Sequence, residues 1–299
     1  MTMARFLVSA AHKSSGKTTV ALGLCAALRA QGLAVQPFKK GPDYIDPMWL
    51  TRASGRACYN LDPFLMTEQQ IRDCFTRQAS GADISIVEGN KGLYDGLALD
   101  GSNSNAALAT LLDLPVLLVI DARGMTRGIA PLILGYQAFD SRVRIAGVIL
   151  NQLGGARHES KLRAVIEHYT DVPVLGAIAH DSALALVERH LGLIPDQELD
   201  GAASQVQAIG KRIAAQVDLA AVLRVARDVA PLPASERPIS SQPRPSAAAE
   251  PRVRIGLARD RAFGFHYPDD LQALVRSGAE IVPFDTLQDP ALPEVDGLF

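Results

Sequence analysis

Short, continuous apolar runs punctuate the chain, and between them apolar positions recur at helical spacing. The runs predict strands over 5–10, 33–38, 83–87, 115–120, 144–150 and 173–178, with a helix over 18–30 closed by Gly32. Strands that are apolar on both faces and alternate with helices predict an α/β fold, with a mostly parallel sheet covered by helices on both sides. Residues 205–229 read as one closing helix, with apolar positions at helical spacing. The period then stops. The segment PLPASERPISSQPRPSAAAEP, residues 231–251, is rich in Pro, Ser and Ala and reads as a semi-extended linker. Periodicity resumes with strands over 253–257 and 281–284 and a helix over 268–277. The chain therefore divides into residues 1–230, a linker over 231–251, and the start of a second α/β domain over 252–299. Two strands and one helix do not bury a sheet of their own. Ile255, Leu257, Leu274, Ile281 and Phe299 are expected to need partners, or to sit in a mobile segment.

Composition narrows the picture. With 299 residues, 48% of them hydrophobic, the chain can build one large core and part of another. A net charge of −2 and scattered basic residues argue against a general nucleic-acid surface. No apolar run reaches the roughly 18 residues of a membrane span. Lys13 and Lys17 interrupt the N-terminal apolar stretch, so it does not read as a signal peptide. Cys25, Cys58 and Cys74 are odd in number and widely spaced. They suggest buried thiols in a reducing cytoplasm, not a disulfide framework or a zinc site.

The candidate chemistry begins at Ala11-His12-Lys13-Ser14-Ser15-Gly16-Lys17-Thr18. This stretch matches the P-loop pattern G-x-x-x-x-G-K-[ST] except for Ala11 at its first position. It lies between a strand and a helix, so loop and first-turn N–H groups can point at phosphate oxygens. Lys13, Ser14, Ser15, Gly16, Lys17, Thr18 and Thr19 are therefore candidate nucleotide contacts. Lys17 would reach the terminal phosphates, and the Thr18 hydroxyl would hold Mg²⁺. Lys13 reads either as a further phosphate contact or as a solvent-exposed lysine. Such a loop needs a carboxylate near the metal, at the end of a neighbouring strand. Glu88, which ends DISIVE, supplies one and opens the Gly-rich segment EGNKGLYDG, residues 88–96. A second acidic loop, KKGPDYIDP (39–47), follows the second strand, and its Asp43 is a further candidate metal ligand. Asn151, at a later strand end, reads either as a contact to a base edge or as an Asx turn. Asp121 reads as loop cap or site residue. His180, His190 and His266 have no recognisable partner.

Together KSSGKTTV, QPFKKGPDYIDP, NLDPF, VEGNKGLYDG, VLLVIDARG, GVILNQLGG and RHLGLIP resemble the cobyrinic acid a,c-diamide synthase family of amidoligases. These pieces span nearly residues 5–195, and GPDYIDP with EGNKGLYDG is far more specific than the P-loop alone. The resemblance implies a P-loop NTPase-type synthetase domain like that of dethiobiotin synthetase, using ATP and Mg²⁺. It also implies a C-terminal class I glutamine amidotransferase domain, whose nucleophilic Cys and His would lie beyond residue 299. The implied activity is amidation of the a and c acetate carboxylates of a tetrapyrrole, with glutamine or free ammonia as nitrogen source. By resemblance Lys17 and Thr18 hold ATP and Mg²⁺, and Lys39 stabilises the transferring phosphoryl. Asp43, Glu88 and Asp95 serve metal and substrate placement, and Tyr44 and Ile45 position the tetrapyrrole carboxylate. Lys91 and Tyr94 fall to substrate contact in the same reading. Lys40 and Lys91 add positive charge to the acidic loops, which keeps sirohaem and nickel sirohydrochlorin open as alternative substrates. Two other readings compete: another carboxylate-activating synthetase, and a partitioning-type switch ATPase. A homodimer is also left open.

Overall fold

The computed structural model describes residues 3–181, 188–189, 192–232 and 253–299. Most of the expected linker lies outside the described residues, as does His190. In chain order the first elements are β1 (Arg5–Ala10), α1 (Lys17–Ala30), β2 (Val35–Lys40), α2 (Ile45–Ser54), β3 (Tyr59–Leu61), α3 (Glu68–Ala79) and β4 (Ile84–Glu88). Then come α4 (Asn105–Leu111), β5 (Val116–Asp121), α5 (Ile129–Phe139), β6 (Ile145–Leu153), α6 (Ala156–Tyr169) and β7 (Val174–Ala179). A small antiparallel pair follows, β8 (Glu188–Arg189) and β9 (Gly192–Leu193), before α7 (Ala202–Gln216) and α8 (Leu219–Arg227).

Strands β1 to β7 form one sheet in the order β3-β2-β4-β1-β5-β6-β7, with every ladder parallel. Every residue of β1, β2 and β4 is buried. That explains why these strands read as continuous apolar runs and not as alternation. Alternate side chains feed two cores. One joins Phe6, Val8, Val35, Ile84 and Ile86 to α1, α2, α7 and α8. The other joins Leu7, Phe38, Val87 and Leu118 to α3, α4, α5 and α6. Helices α1 and α7 approach closely: a Cβ on Gly23 would fall 2.2 Å from Ile213, and one on Gly210 would fall 2.7 Å from Ala26. The three cysteines are free and buried, as expected, and burial pushes the Cys74 thiol up to about 12.

Three expectations need correction. The second strand covers 35–40, not 33–38, because its pairing with β4 runs on to Lys39 opposite Glu88, while β3 pairs as far as Lys40. Lys39 and Lys40 are thus buried strand residues and not loop residues. The short edge strand β3 was not expected. The single helix over 205–229 is two helices. Val217 is extended and bridges Gly176, and the Asp218 carboxylate caps α8 by accepting from the Ala221 N–H at 2.8 Å.

Residues 253–299 form a three-stranded parallel sheet, with β10 (Arg254–Ala258) between β11 (Glu280–Phe284) and β12 (Gly297–Leu298), and helix α9 (Pro268–Arg276). Leu257 and Phe284 are buried, but Ile255, Leu274 and Ile281 are only half-buried and Phe299 is exposed. Part of the missing cover comes from the first unit. Gln78 Nε2 donates to Gln272 Oε1 at 2.9 Å, and the Cys74 thiol contacts Asp269 at 3.6 Å.

Candidate functional site

The ends of β1, β2 and β4 meet at the N-terminus of α1. Glu88 pairs with Val8 on one side and Lys39 on the other, so the sheet register alone brings these strand ends together. The loop before α1 turns through positive φ at Ser14 (65°) and Gly16 (86°). Ser15 Oγ donates to the His12 carbonyl at 2.8 Å. Asn151 Nδ2 donates to the Ser15 carbonyl at 2.9 Å, and a Cβ on Gly16 would fall 2.1 Å from that amide. Glycine is thus required there twice, by backbone conformation and by space. No side chain caps α1 and no acid lies in its first turn. Its N-terminal N–H groups are left to an anion, as a phosphate cradle needs.

The Asn151 geometry corrects one of the two readings offered by the sequence, the Asx turn. The residue lies within β6, not in an Asx turn, and its buried amide donates to the loop carbonyl. Asp121 is a loop cap: its Oδ1 accepts from the Arg123 N–H at 3.0 Å, and its carboxylate pairs with the Arg123 guanidinium. Lys13 and Ser14 are exposed on the outside of the loop, whereas Ser15 is buried and Gly16, Lys17, Thr18 and Thr19 are half-buried.

Lys39 is the centre of the charge cluster and is 3% exposed. Its Nζ lies 2.5 Å from Asp46 Oδ2, 3.3 Å from Glu88 Oε1 and 3.7 Å from Asp43 Oδ2. Burial alone would lower its pKa, but Asp46, Glu88 and Asp43 outweigh burial and raise it. Thr18 Oγ1 donates to Glu88 Oε1 at 2.6 Å. Glu88 is fully buried, and burial raises its pKa against the pull of Lys39. Lys17 is shifted down, chiefly by burial and against the opposing charge of Glu88. Asp43 also shapes the backbone. Its Oδ1 accepts from the N–H groups of Ile45 (3.0 Å) and Asp46 (3.1 Å), which fixes the start of α2.

Asp46 is the functional candidate that sequence reasoning passed over. It lies in the first turn of α2, three residues after Asp43, and so returns to the same face as the Lys39 ammonium. Burial opposes its charge, but Lys39 more than compensates and holds its pKa below the ordinary value. That spacing was the available signal; the strand-end position of Lys39 was the missing half.

The second loop divides differently. Tyr94 does not open onto the cluster: its hydroxyl donates to the Tyr136 carbonyl at 2.6 Å, and its ring packs on Tyr136 and Phe139. Asp95 lies apart from Lys39 as well; its Oδ2 accepts from the Gly92 N–H at 2.9 Å, closing its own turn. Lys91 is exposed, with a positive φ of 45°. Ile45 packs against the core on the α1 side. Asn105, another residue the sequence did not single out, is fully buried and holds this loop. Its Nδ2 contacts the Asn90 carbonyl (2.5 Å), the Gly92 carbonyl (2.8 Å) and Ser9 Oγ (3.1 Å).

Two ammonium groups, Lys17 and Lys39, thus face three carboxylates, Asp43, Asp46 and Glu88. Glu88 Oε2 is buried without a hydrogen-bond partner. An orphaned carboxylate oxygen beside a threonine hydroxyl fits a hard cation with oxygen ligands. Among the described residues no three His, Cys, Asp or Glu side chains form a ready-made cage. A cation here would complete its shell with phosphate and water oxygens. No described helix is long and apolar enough to cross a membrane.

The chain is 46% identical over 295 residues to a cobyrinate a,c-diamide synthase of Magnetococcus marinus, covering 99% of this chain and 63% of that protein. It is 44% identical over 299 residues to a hydrogenobyrinate a,c-diamide synthase of Thermobifida fusca, covering 97% of this chain and 63% of that protein. The chain therefore spans less than two thirds of the length of these relatives. Among solved structures, chloroplast FtsY from Physcomitrella patens aligns with a TM-score of 0.44 and 18% identity, over 70% of this chain and 66% of that one. The model of the CobQ/CobB/MinD/ParA nucleotide binding domain matches residues 7–194, which hold the phosphate loop, the Lys39 cluster and all of the seven-stranded sheet but the start of β1. By that match the chain belongs to the CobQ/CobB/MinD/ParA nucleotide-binding domain family.

Proposed function

We propose that the chain is the ATP-dependent synthetase part of a tetrapyrrole a,c-diamide synthase. It would convert the a and c acetate carboxylates of a cobyrinic acid-type substrate to amides. The observation that carries this reading is the likeness to two a,c-diamide synthases over 97–99% of the chain. Within that span lies the loop 42–47 of this chain, whose acids reach Lys39 beside the phosphate loop.

The chemistry suits the site. A carboxylate is a poor electrophile, and ammonia does not displace oxide from it. Transfer of the γ-phosphoryl of ATP to a substrate carboxylate oxygen gives an acyl phosphate and ADP. Ammonia then adds at the acyl carbon and phosphate leaves, carrying the displaced oxygen, while the added nitrogen gives up one proton to solvent. The protein contributes position and charge neutralisation. The N-terminus of α1 and Lys17 would hold the phosphates. Lys39, fixed by Asp46 and Glu88, would lie beside the equatorial oxygens as their charge redistributes. Thr18 and Glu88, with Asp43 or Asp46, would hold Mg²⁺, which when bound neutralises charge on the β- and γ-phosphates. Joined to a glutamine-hydrolysing domain, the same site would take its ammonia from glutamine. Amidation exchanges a hydroxyl for an amino group, which mass spectrometry resolves. Incubating the chain with cobyrinic acid, Mg-ATP and ammonium should give mono- and diamide. ATP hydrolysis indifferent to any tetrapyrrole acid, with no amide formed, would overturn the reading in favour of a switch ATPase.

A further inference from the structure

Aromatic rings from both units meet beside the Lys39 cluster. Tyr44 stacks on Phe265, with centroids 5.3 Å apart and planes at 14°, and on Tyr267, at 4.2 Å and 22°. Tyr44 follows Asp43, whose carboxylate lies 3.7 Å from the Lys39 ammonium. The rings therefore border the position where the acid is activated.

The loop that carries Phe265 and Tyr267 is built to be stiff. Asp260 is buried, and its Oδ1 accepts from the N–H groups of Ala262 (2.7 Å) and Phe263 (2.9 Å). Its Oδ2 accepts from the Thr286 N–H and hydroxyl, both at 2.7 Å. Arg261 donates to the Glu198 carbonyl at 2.7 Å, and a Cβ on Gly264 would fall 2.0 Å from the Gln197 amide. The loop is thus tied down on its own sheet and against the first unit. Yet Phe263 and Phe265 remain 53% and 50% exposed. Docking of the two units does not need them, since Gln78–Gln272, Cys74–Asp269 and Arg261–Glu198 already join the surfaces. Large flat rings held rigidly in water beside a reaction centre mark a ligand face. Charge agrees. Arg259 lines a cavity of about 480 Å³ with Tyr44 and His266, and it has no acidic partner among the described residues.

Resting on the synthetase reading above, we propose that Phe265 and Tyr267 join Tyr44 as an aromatic wall for the face of a flat, conjugated macrocycle. One acetate arm then reaches Lys39, and another acid arm meets Arg259. Residues 253–299 thereby complete the substrate site of the first unit.

The test uses the 299-residue chain, with cobyrinic acid as the probe. Binding is followed by the probe's visible absorbance, and turnover separately with Mg-ATP and ammonium. Phe265→Leu keeps an apolar side chain but removes the flat ring. It should weaken cobyrinic acid binding and raise its KM by about 3- to 10-fold, the usual worth of one stacked ring. The KM for ATP and the thermal midpoint should stay as in the parent, and Phe265→Tyr should restore binding. Unchanged binding in Phe265→Leu overturns the wall. So does a loss shared equally by ATP affinity and thermal midpoint, because that marks a merely structural ring. Binding that depends on Phe265 without turnover supports the wall and defeats the amidation reading. A parent chain that binds no cobyrinic acid defeats both.

Discussion

Lys39 and Lys40 are consecutive, and both are buried at the end of β2, at 3% and 5% exposure. Lys39 turns to the α1 side and meets carboxylates: Asp46, Glu88 and, farther off, Asp43. Lys40 turns to the other side and meets neutral oxygens, Asn90 Oδ1 at 3.0 Å and the Asn103 carbonyl at 2.7 Å. The outcomes are opposite. Lys39 is raised above the ordinary lysine value, because its acidic neighbours outweigh burial. Lys40 falls to about 8, chiefly from burial, helped by Lys91 and Lys39 and resisted by Asp62. One face of the strand end thus concentrates formal charge beside the phosphate loop. The other uses an ammonium as a clamp that ties Asn90, within EGNKGLYDG, and Asn103, beyond it, to the sheet. A buried lysine is therefore not by itself a sign of chemistry; the partner set decides.

The sharpest way to break this contrast is Lys39→Met. It leaves Glu88, Asp46 and Asp43 facing one another with less compensation from cations. Removing one partner of a buried ion pair destabilises by about 3–5 kcal/mol at neutral pH. Losing a charge that neutralises a transferring phosphoryl slows turnover on the order of 10²–10³-fold. The stability loss should shrink at acid pH, as protonation of Glu88 and Asp46 relieves the repulsion. Urea unfolding of parent and variant at neutral and acid pH checks the first effect, and the amidation rate checks the second. A stable variant with parental turnover would remove Lys39 from the site.

Much of this face was legible in the sequence, for a physical reason. The phosphate loop is local chemistry: GKTT between an apolar strand and a helix can be read without knowing any long-range contact. Glu88 was legible because an acid at the end of an apolar strand has few other uses. Lys39 was named, yet placed in a loop, since its burial depends on pairing with Glu88 and not on local pattern. Asp46 was missed for the same reason: its partner is set by where β2 ends. Asn151 was read by its position at a strand end, whereas its contact with Ser15 is fixed by the neighbouring α1 loop. Asn105, a lone amide in the apolar run NAALATL, gave no signal, because its acceptors lie in another loop. The aromatic stack joins residues more than two hundred positions apart, beyond the reach of any window.

Lys40→Met tests the quieter face. It removes two hydrogen bonds from buried or half-buried acceptors but also removes a poorly compensated charge from the interior. Those effects oppose each other, so the expected stability change is within about 1–2 kcal/mol. The KM for ATP should not move, because no part of the clamp touches the phosphate loop. What should change is the order of residues 89–103, read as faster amide hydrogen exchange there, with parental exchange in α1. An effect as large as that of Lys39→Met, or exchange that quickens in α1 and not in the loop, would erase the distinction between the faces.

The smallest expected effect is also the most specific, because its sign differs for the two lysines. For Lys40 the folded value, about 8, lies below the ordinary lysine value of 10.5. Between those values the unfolded chain binds more protons than the folded chain, so stability gains from Lys40 as pH rises through that window. For Lys39 the folded value lies above the ordinary one. Its contribution is fully present below 10.5 and is lost only as pH climbs beyond it, toward the folded value. The difference in unfolding free energy between the parent and Lys40→Met isolates the first effect, since Lys39 and the carboxylates are common to both. Measured without nucleotide from neutral pH to about pH 10, that difference should drift steadily in favour of the parent. A flat difference would mean that the Lys40 ammonium is as well satisfied by Asn90 and Asn103 as it is in water. A drift of the opposite sign would mean that Asp62 outweighs burial and acts as an ion-pair partner of Lys40.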